Sequence, residues 1–305
     1  MRNTFAKKIT QLAQKKKKIV LLSGDIGNRL FDDFKNKFPE RFYNCGVAET
    51  NMVGVAAGLA SAGFIPFCYT ITPFLISKCF EQIRLDVCYQ KLNVYIVGTG
   101  SGLSYSRLGP THHSLEDIGL MQLIPNMKIC TPSDPVELSK LMPQLLADKG
   151  PYYLRLGKKG EPNINHIRKK IKLGDPNIIQ KGKDVLIISL GNILKEANIL
   201  KNKLIKNKKN PTLLTINRIK PLNLKKLKVI IKNYKNVIII EEHFLQGGLS
   251  NMIKSNYEYL NLNKKNIKIF HIEDKFYNGL GEQADAREKV GISGDQIYKK
   301  IKNSL

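Results

Sequence analysis

The chain has 305 residues, 42% of them apolar, which is enough to bury more than one core. It has no run of about 18 apolar residues and no apolar stretch near its start, so we expect neither a transmembrane helix nor a signal peptide. The net charge of +25 comes mostly from dispersed lysines without interleaved aromatic residues, so we expect no nucleic-acid or membrane partner. Five cysteines without a Cys-x-x-Cys pair favour reduced thiols over disulfides or a zinc site, and hence a cytoplasmic protein.

The first half alternates short apolar runs with longer amphipathic or small-residue stretches. This alternation is typical of a parallel sheet whose strands are joined by helices. The predicted strands are 19–22, 42–45, 67–70, 93–98, 128–131 and 152–156. The predicted helices are 3–14, 29–37, 48–62, 74–89, a helix opened by His112 and His113 and running to 123, and 134–147.

The second half repeats the alternation after a stretch of Gly, Pro, Asn and Lys with little periodicity. We predict a first domain at 1–160, a linker at 161–183 and a second domain at 184–305. The predicted strands of the second domain are 185–189, 213–217, 237–240 and 267–272, with helices near 192–207, 223–233, 248–260 and 293–303. The predicted fold is therefore α/β, with two consecutive three-layer domains and mainly parallel sheets.

One carboxylate lies at the turn between the second predicted strand and its helix. Glu49 precedes a run of Ala, Gly, Val, Leu and Met, which predicts a helix buried almost all round. Ligands of open α/β sheets bind beyond the carboxyl ends of the strands, where this turn lies. Burial without a cationic partner raises a carboxyl pKa toward the range of a group that exchanges a proton near neutrality.

Several segments together resemble the transketolase family. Gly46-x-x-Glu49-x-x-Met52 is similar to the motif of its pyrimidine-binding domain. Other matching segments are Ser23-Gly24-Asp25, Gly109-Pro110-Thr111-His112, Ile124-Pro125-Asn126-Met127 and Thr131-Pro132-Ser133-Asp134. The resemblance implies a thiamine-diphosphate-binding fold followed by a domain like the transketolase carboxy-terminal domain, whose role is largely structural.

The resemblance also implies roles for individual residues. Glu49 would contact the aminopyrimidine ring of thiamine diphosphate and hold or donate a proton at its ring nitrogen. His112 would face the thiazolium side of the cofactor and contact substrate oxygens. An aromatic side chain would stack on the pyrimidine, and we predict Phe74, with Tyr69 second. Asp25 is a further cofactor-binding candidate.

Two basic residues are candidate contacts for a substrate phosphate. Lys158 falls where many family members place a phosphate-binding residue, usually Arg, and a lysine binds phosphate as a point charge. Arg2 is the other candidate. Leu108 stands where transketolases acting on sugar phosphates often have Asp before Gly-Pro-Thr-His, and it cannot accept a hydrogen bond from a substrate hydroxyl.

The family's metal-binding motif is absent from the sequence. Thiamine-diphosphate enzymes hold the diphosphate through a metal bound by Gly-Asp-Gly; Gly24-Asp25-Ile26 is not that motif, and no other copy exists. The chain therefore resembles the carboxy-terminal half of a split transketolase and supplies no metal ligand. The resemblance implies a separate amino-terminal subunit holding the diphosphate and Mg²⁺, an α2β2 assembly with a second copy of this chain, and sugar or sugar-phosphate substrates.

This reading predicts transfer of a two-carbon ketol unit from a ketose to an aldose acceptor. The nearest alternative is the β subunit of a 2-oxo acid dehydrogenase-type enzyme, which has a similar split and a similar glutamate. A different class is a non-catalytic basic scaffold that binds nucleic acid or a membrane. Three assays distinguish these alternatives: ketol transfer, 2-oxo acid decarboxylation and salt-dependent DNA binding.

Overall fold

A computed structural model describes residues 1–27 and 29–304. Its strands are Ile19–Ser23 (β1), Phe42–Asn44 (β2), Ile65–Ile71 (β3), Tyr95–Thr99 (β4), Lys128–Cys130 (β5), Tyr152–Leu156 (β6), Asn177–Gln180 (β7), Val185–Leu190 (β8), Pro211–Ile216 (β9), Arg218–Lys220 (β10), Asn236–Phe244 (β11) and Asn266–Ile272 (β12). Its α-helices are Arg2–Lys15 (α1), Asp32–Lys37 (α2), Glu49–Ser61 (α3), Thr72–Ile76 (α4), Phe80–Gln82 (α5), Asp117–Leu123 (α6), Pro135–Asp148 (α7), Leu194–Lys206 (α8), Leu224–Ile231 (α9), Leu249–Ser255 (α10), Gln283–Lys289 (α11) and Gly294–Ile301 (α12).

The strands form two sheets, and the predicted α/β fold with mainly parallel sheets is confirmed. The first sheet has the order β10-β5-β6-β4-β3-β1-β2, and the second has the order β12-β11-β8-β9-β7. Every neighbouring pair is parallel except β10 with β5 and β7 with β9, which lie at sheet edges. Strands such as β1 and β8, each apolar except for one serine, are buried along their whole length, as parallel strands covered by helices on both faces require.

Buried apolar side chains fill three layers around these sheets. One cluster covers the face of the first sheet that packs on α1 and α7, and another covers the face of the second sheet that packs on α8 and α12. The third cluster lies between the two sheets and includes residues of α3, α6, α9 and α10. The two halves therefore share a core rather than meeting only at a polar surface.

Two strands cut across the predicted domain boundaries. β7 lies inside the predicted linker at 161–183 and pairs with β9 at the edge of the second sheet. β10 comes from the second half of the chain but pairs with β5 in the first sheet. The division of the chain into domains stays a prediction. The two short edge strands and α11 were not predicted, because their apolar patterns are too weak.

The prediction that a helix begins at His112 and His113 is wrong. α6 begins at Asp117, and residues 100–116 form a loop instead. Gly109 has φ +76°, which interrupts helical backbone ahead of the two histidines. Gly102 and Ser114 then pair in an antiparallel bridge that closes the base of this loop.

The helix α3 is also less buried than its composition predicts. Its buried residues lie on one face: Glu49, Met52, Val53, Ala56 and Ala57. Its other side is exposed at Asn51 and Val55, and a Cβ added to Gly54 or Gly58 would meet nothing within 4 Å. A helix with few polar residues therefore presents an open, largely apolar face in the single chain.

Among residues 1–27 and 29–304, no helix is long and apolar enough to cross a lipid bilayer. Within the same residues, no group of three His, Cys, Asp or Glu side chains is arranged to hold a metal ion.

Candidate active site

Glu49 is the first residue of α3 and lies beyond the carboxyl ends of β1 and β3. It is only 3% exposed, because α3 packs its first turn against the sheet. Lys78 Nζ donates a hydrogen bond of 2.6 Å to Glu49 Oε2, and this bond raises the pKa of Lys78. The expectation of a buried carboxylate without a cationic partner is therefore wrong. Oε1 has no hydrogen-bond partner within the described ranges, so it is the oxygen available to a ligand.

The loop after β1 packs closely on this carboxylate. A Cβ added to Gly24 would lie 3.0 Å from Thr70 Oγ1 and 3.5 Å from Glu49 Cγ, so a glycine is needed for the approach. Thr70 Oγ1 is fully buried and has no hydrogen-bond partner among the described residues. Asp25 follows with φ +48°, is exposed, and accepts a hydrogen bond of 3.0 Å from Asn44. Asp25 therefore lies at the rim beside Glu49, with one carboxylate oxygen used to join the two loops.

Phe74 and His112 lie against each other at the same edge of the sheet. Their ring centroids are 5.1 Å apart at an interplanar angle of 77°, and both side chains are partly exposed. Burial lowers the pKa of His112, so the imidazole is neutral at pH 7. Thr111 Oγ1 lies 2.9 Å from Nδ1, which leaves Nε2 without a partner among the described residues. The Phe74 ring thus lies beside a neutral hydrogen-bonding nitrogen of His112.

Tyr69, the second stacking candidate, is placed differently. It is 1% exposed, stacks on Phe5 at 5.6 Å and meets the edge of Phe31 at 4.9 Å. Its ring belongs to the core layer between the first sheet and α1. Since protein side chains cover this ring, the geometry favours Phe74.

Arg2 and Lys158, far apart in the sequence, meet at Tyr105. Lys158 Nζ lies 4.4 Å from the centroid of the Tyr105 ring, and the Arg2 guanidinium lies close enough to Tyr105 to act against the rise that burial causes in the pKa of its hydroxyl. The Tyr105 and His112 ring centroids are 6.1 Å apart, so one ring links both cations to His112. The Arg2 Nε is buried without a partner in the described part of the chain, and burial lowers the pKa of Lys158. These cations retain donors for an anion.

Sequence reasoning missed Lys78 and Tyr105. Lys78 is 48% exposed and follows α4, where the helical pattern shows only one more lysine in a lysine-rich chain. Tyr105 lies in an irregular loop, and its ring packs where Gly100 leaves room; a Cβ there would lie 2.0 Å from the Tyr105 ring. The glycine-rich segment before Tyr105 is a signal for such a close approach, but it does not identify the side chain.

Two family models match this chain. The transketolase pyrimidine-binding domain model matches residues 1–162, and the transketolase C-terminal domain model matches residues 174–278. The chain belongs to the transketolase family. It is the carboxy-terminal subunit of a split transketolase, and the family's pyrimidine-binding domain implies dependence on thiamine diphosphate.

Similar proteins cover most or all of the chain. One of them, from Actinobacillus succinogenes, is a subunit of apulose-4-phosphate transketolase and is 33% identical over 87% of this chain and 85% of its own length. A solved split-gene transketolase, described as an inactive β4 tetramer, has a TM-score of 0.86 at 30% identity, with 100% of this chain and 97% of the other covered. The 1-deoxy-D-xylulose-5-phosphate synthase of Dictyoglomus thermophilum is 35% identical over 97% of this chain, which spans about half (48%) of that enzyme.

The residues present fit the aminopyrimidine half of thiamine diphosphate. An aminopyrimidine is a flat ring with nitrogens at its edge, and it needs an apolar face and an in-plane hydrogen-bonding group. Glu49 Oε1 and Thr70 Oγ1 are polar atoms packed near Gly24, and neither has a hydrogen-bond partner within the described residues. Phe74 supplies a partly exposed ring. The transketolase chain lacks an acidic cluster for the metal among its described residues.

Proposed function

We propose that this chain builds the pyrimidine side of a thiamine diphosphate site shared with an amino-terminal subunit. The assembled enzyme transfers a two-carbon ketol unit from a phosphorylated ketose to an aldose acceptor. The observation that carries the proposal is Glu49, a buried carboxylate at the edge of the sheet where Phe74 and His112 also lie. One of its oxygens has no hydrogen-bond partner among the residues that the structure describes. This edge is where open α/β sheets bind ligands.

Three side chains have direct roles in this proposal. Glu49 Oε1 holds or donates a proton at the pyrimidine ring nitrogen, while Lys78 remains on Oε2. Phe74 stacks on the pyrimidine and limits its contact with water. His112, neutral at pH 7, offers Nε2 as a hydrogen-bonding group for substrate oxygens. Asp25 helps to shape the rim through Asn44. When bound, thiamine diphosphate supplies the electron sink for cleaving the donor's carbon–carbon bond.

The phosphate of the substrate is assigned to Arg2 and Lys158. Both cations approach Tyr105, which lies beside His112. A phosphate bound there would therefore lie near the histidine that is proposed to contact the substrate oxygens. The neighbouring Leu108 is 53% exposed and apolar. This rim therefore lacks the hydroxyl acceptor that Asp provides in many transketolases, which supports a donor or acceptor other than the usual pentose phosphates.

The partner subunit is assigned the diphosphate and Mg²⁺. Mg²⁺ is often held by one or two carboxylates together with substrate phosphates, and this chain has no such cluster within residues 1–27 and 29–304. The open apolar face of α3, next to Glu49, supplies a surface that a partner would cover. The inactive β4 form of the similar split-gene transketolase supports a need for the partner. We propose an α2β2 assembly.

The compartment proposed for this enzyme is the cytoplasm. The five cysteines are free thiols, and four of them are buried. Free buried thiols are typical of proteins folded in a reducing compartment.

The test is reconstitution. This chain is expressed with its amino-terminal partner, purified through a tag on one subunit and titrated with thiamine diphosphate and Mg²⁺. We expect the pair to bind thiamine diphosphate saturably and to catalyse ketol transfer. We expect neither property in either chain alone. Tight cofactor binding by this chain alone would contradict the shared site. Decarboxylation of a 2-oxo acid such as pyruvate, without ketol transfer, would contradict the assigned reaction.

A further inference from the structure

The loop at residues 100–116 carries Tyr105 and His112 and has little regular structure of its own. Its position depends on contacts that cross from the carboxy-terminal half of the chain. The crossing hydrogen bonds are Gln283 Nε2 to Ser104 Oγ (3.2 Å), Asn192 Nδ2 to Ser104 Oγ (3.3 Å), Ser106 Oγ to Gly281 O (2.6 Å) and Phe244 N to Leu115 O (2.8 Å). Both ends and the middle of the loop are therefore tied to the second domain.

Glu242 lies at the centre of these contacts. It is 1% exposed, and its two carboxylate oxygens accept hydrogen bonds of 3.0 and 2.8 Å from Arg287. Gln283 Nε2 lies 3.2 Å from Glu242 Oε1 and donates also to Ser104, so one amide joins the carboxylate to the loop. A Cβ added to Gly102 would lie 2.6 Å from Glu242 Cδ. The first turn of the loop thus packs directly on the Glu242–Arg287 ion pair.

Arg155 connects the far end of the loop, at Ser114, to Glu242. Its guanidinium donates to Ser114 O at 3.2 Å and to the backbone oxygen of Glu242 at 3.1 Å. Asp117, at the start of α6, accepts from the same guanidinium at 2.7 and 3.2 Å. The antiparallel bridge between Gly102 and Ser114 then joins the two ends of the loop.

Buried ion pairs add little net stability, because removing both charges from water costs about as much as their attraction returns. They do fix geometry, since a buried charge must keep its partner. Groups that act on a substrate need positions held within about 0.5 Å, and supporting hydrogen bonds provide this. A loop without α-helix or strand structure around Tyr105 and His112 needs such support from outside.

We propose that the carboxy-terminal domain positions the substrate-contacting loop through Glu242 and Gln283, held by Arg287. Glu242 and Gln283 are positioning residues that act through Ser104 and Gly102. The catalytic part of this inference rests on the function proposed above. The structural part, that these residues fix the loop, does not.

The first test is hydrogen exchange of residues 103–114 in the full-length chain assembled with its partner. Gln283→Ala removes the bridging amide without leaving a buried charge unpaired. We expect exchange in this segment to become about tenfold faster in the variant, because the loop opens locally more often. Asp295→Asn is the matched control, since Asp295 forms an ion pair with Lys203 elsewhere in the same domain. Equal exchange in wild type and Gln283→Ala, or an equal increase in the control, would overturn the positioning role.

The second test separates positioning from simple loss of folded protein. In Gln283→Ala we expect kcat/KM for the ketose donor to fall about 10- to 100-fold, with a raised donor KM and unchanged thiamine diphosphate affinity. A lower kcat with donor KM unchanged would indicate only a smaller active fraction and would contradict the positioning role in catalysis. If the wild-type pair shows no ketol transfer, the proposed function fails, while hydrogen exchange still decides whether these residues fix the loop.

An exchange of the two side chains provides a rescue test. Glu242→Gln alone removes one of the two carboxylates that pair with Arg287, leaving Glu196 at 3.4 Å. We expect faster loop exchange in this variant. The double variant Glu242→Gln/Gln283→Glu returns a carboxylate to the cluster, and residue 283 lies four residues before Arg287 on α11, a spacing that permits an ion pair. We expect the double variant to recover part of the protection lost in Glu242→Gln. No recovery in a folded double variant would show that the pair does not act as a unit.

Discussion

Glu49→Gln is the substitution that most directly tests the site. It keeps the size of the side chain and removes its charge, so the packing of α3 should survive. The ion pair lost is the one with Lys78, at 2.6 Å. Because Lys78 is 48% exposed, solvent screens this pair, and its loss should change the free energy of unfolding only slightly. The melting temperature should therefore fall by no more than about 3 °C.

The effect on activity should be much larger. Proton transfer by a positioned side chain typically contributes about 10²- to 10⁴-fold to a rate, and a glutamine amide cannot serve as the acid or base. The assay is the rate of ketol transfer by the assembled pair at saturating thiamine diphosphate, with assembly checked by gel filtration. Glu40→Gln is the control, since Glu40 is an exposed carboxylate paired with Arg41. Turnover within about tenfold of wild type in a folded Glu49→Gln pair would remove Glu49 from the proton-transfer role.

Three further predictions concern the stacking ring, the phosphate contact and a buried histidine. Phe74→Ala should weaken thiamine diphosphate binding by the pair about tenfold, as loss of one aromatic contact implies, while Phe276→Ala, at an 87% exposed ring, should leave the calorimetric Kd unchanged. Lys158→Met should raise the KM for phosphorylated donors about 10- to 100-fold and leave unphosphorylated donors unaffected; an equal effect on both donor types would argue against a phosphate contact. Burial lowers the pKa of His243 from its usual 6.5 to about 4. As the pH falls below 6.5, His243 therefore binds a proton in the unfolded chain but not in the folded one. The free energy of unfolding should fall by about 2 kcal/mol between pH 7.5 and pH 5 because of this group. Urea unfolding should show a smaller loss of stability in His243→Gln, and a pH dependence identical to wild type would contradict the prediction. The comparison also separates His243 from Glu241, because burial raises the pKa of Glu241 to about 7 and this group gains stability as the pH falls.

Much of the fold was accessible from local patterns. Apolar runs such as those of β1, β4 and β8 become buried parallel strands because helices cover both of their faces. Edge strands are different. β10 pairs with β5 across 88 residues of sequence separation between Arg218 and Cys130, and three residues with two cations carry no periodic signal. A pairing at that range depends on where the second half of the chain packs.

The helix at His112 shows the same limit at shorter range. The apolar residues of 118–123 do form a helix, α6, and the pattern there was sufficient. Upstream, the loop keeps its shape because Gly102 and Ser114 pair and because Glu242 lies against Gly102. Local propensity does not include such a partner, so the predicted helix extended over the histidines, whereas the real one begins only at Asp117.

Three features can be recognised without the fold: the alternation of strands and helices, the motif around Glu49 and the family to which the chain belongs. These features are encoded by neighbouring residues, whose periodicity and turn chemistry act within a few positions of one another. Three other features depend on long-range packing: Lys78 pairs with Glu49, Tyr105 joins Arg2 and Lys158 to His112, and Glu242 supports their loop. Each of these contacts joins segments that are separated along the chain, and only the packing of both sheets around a shared core brings them together.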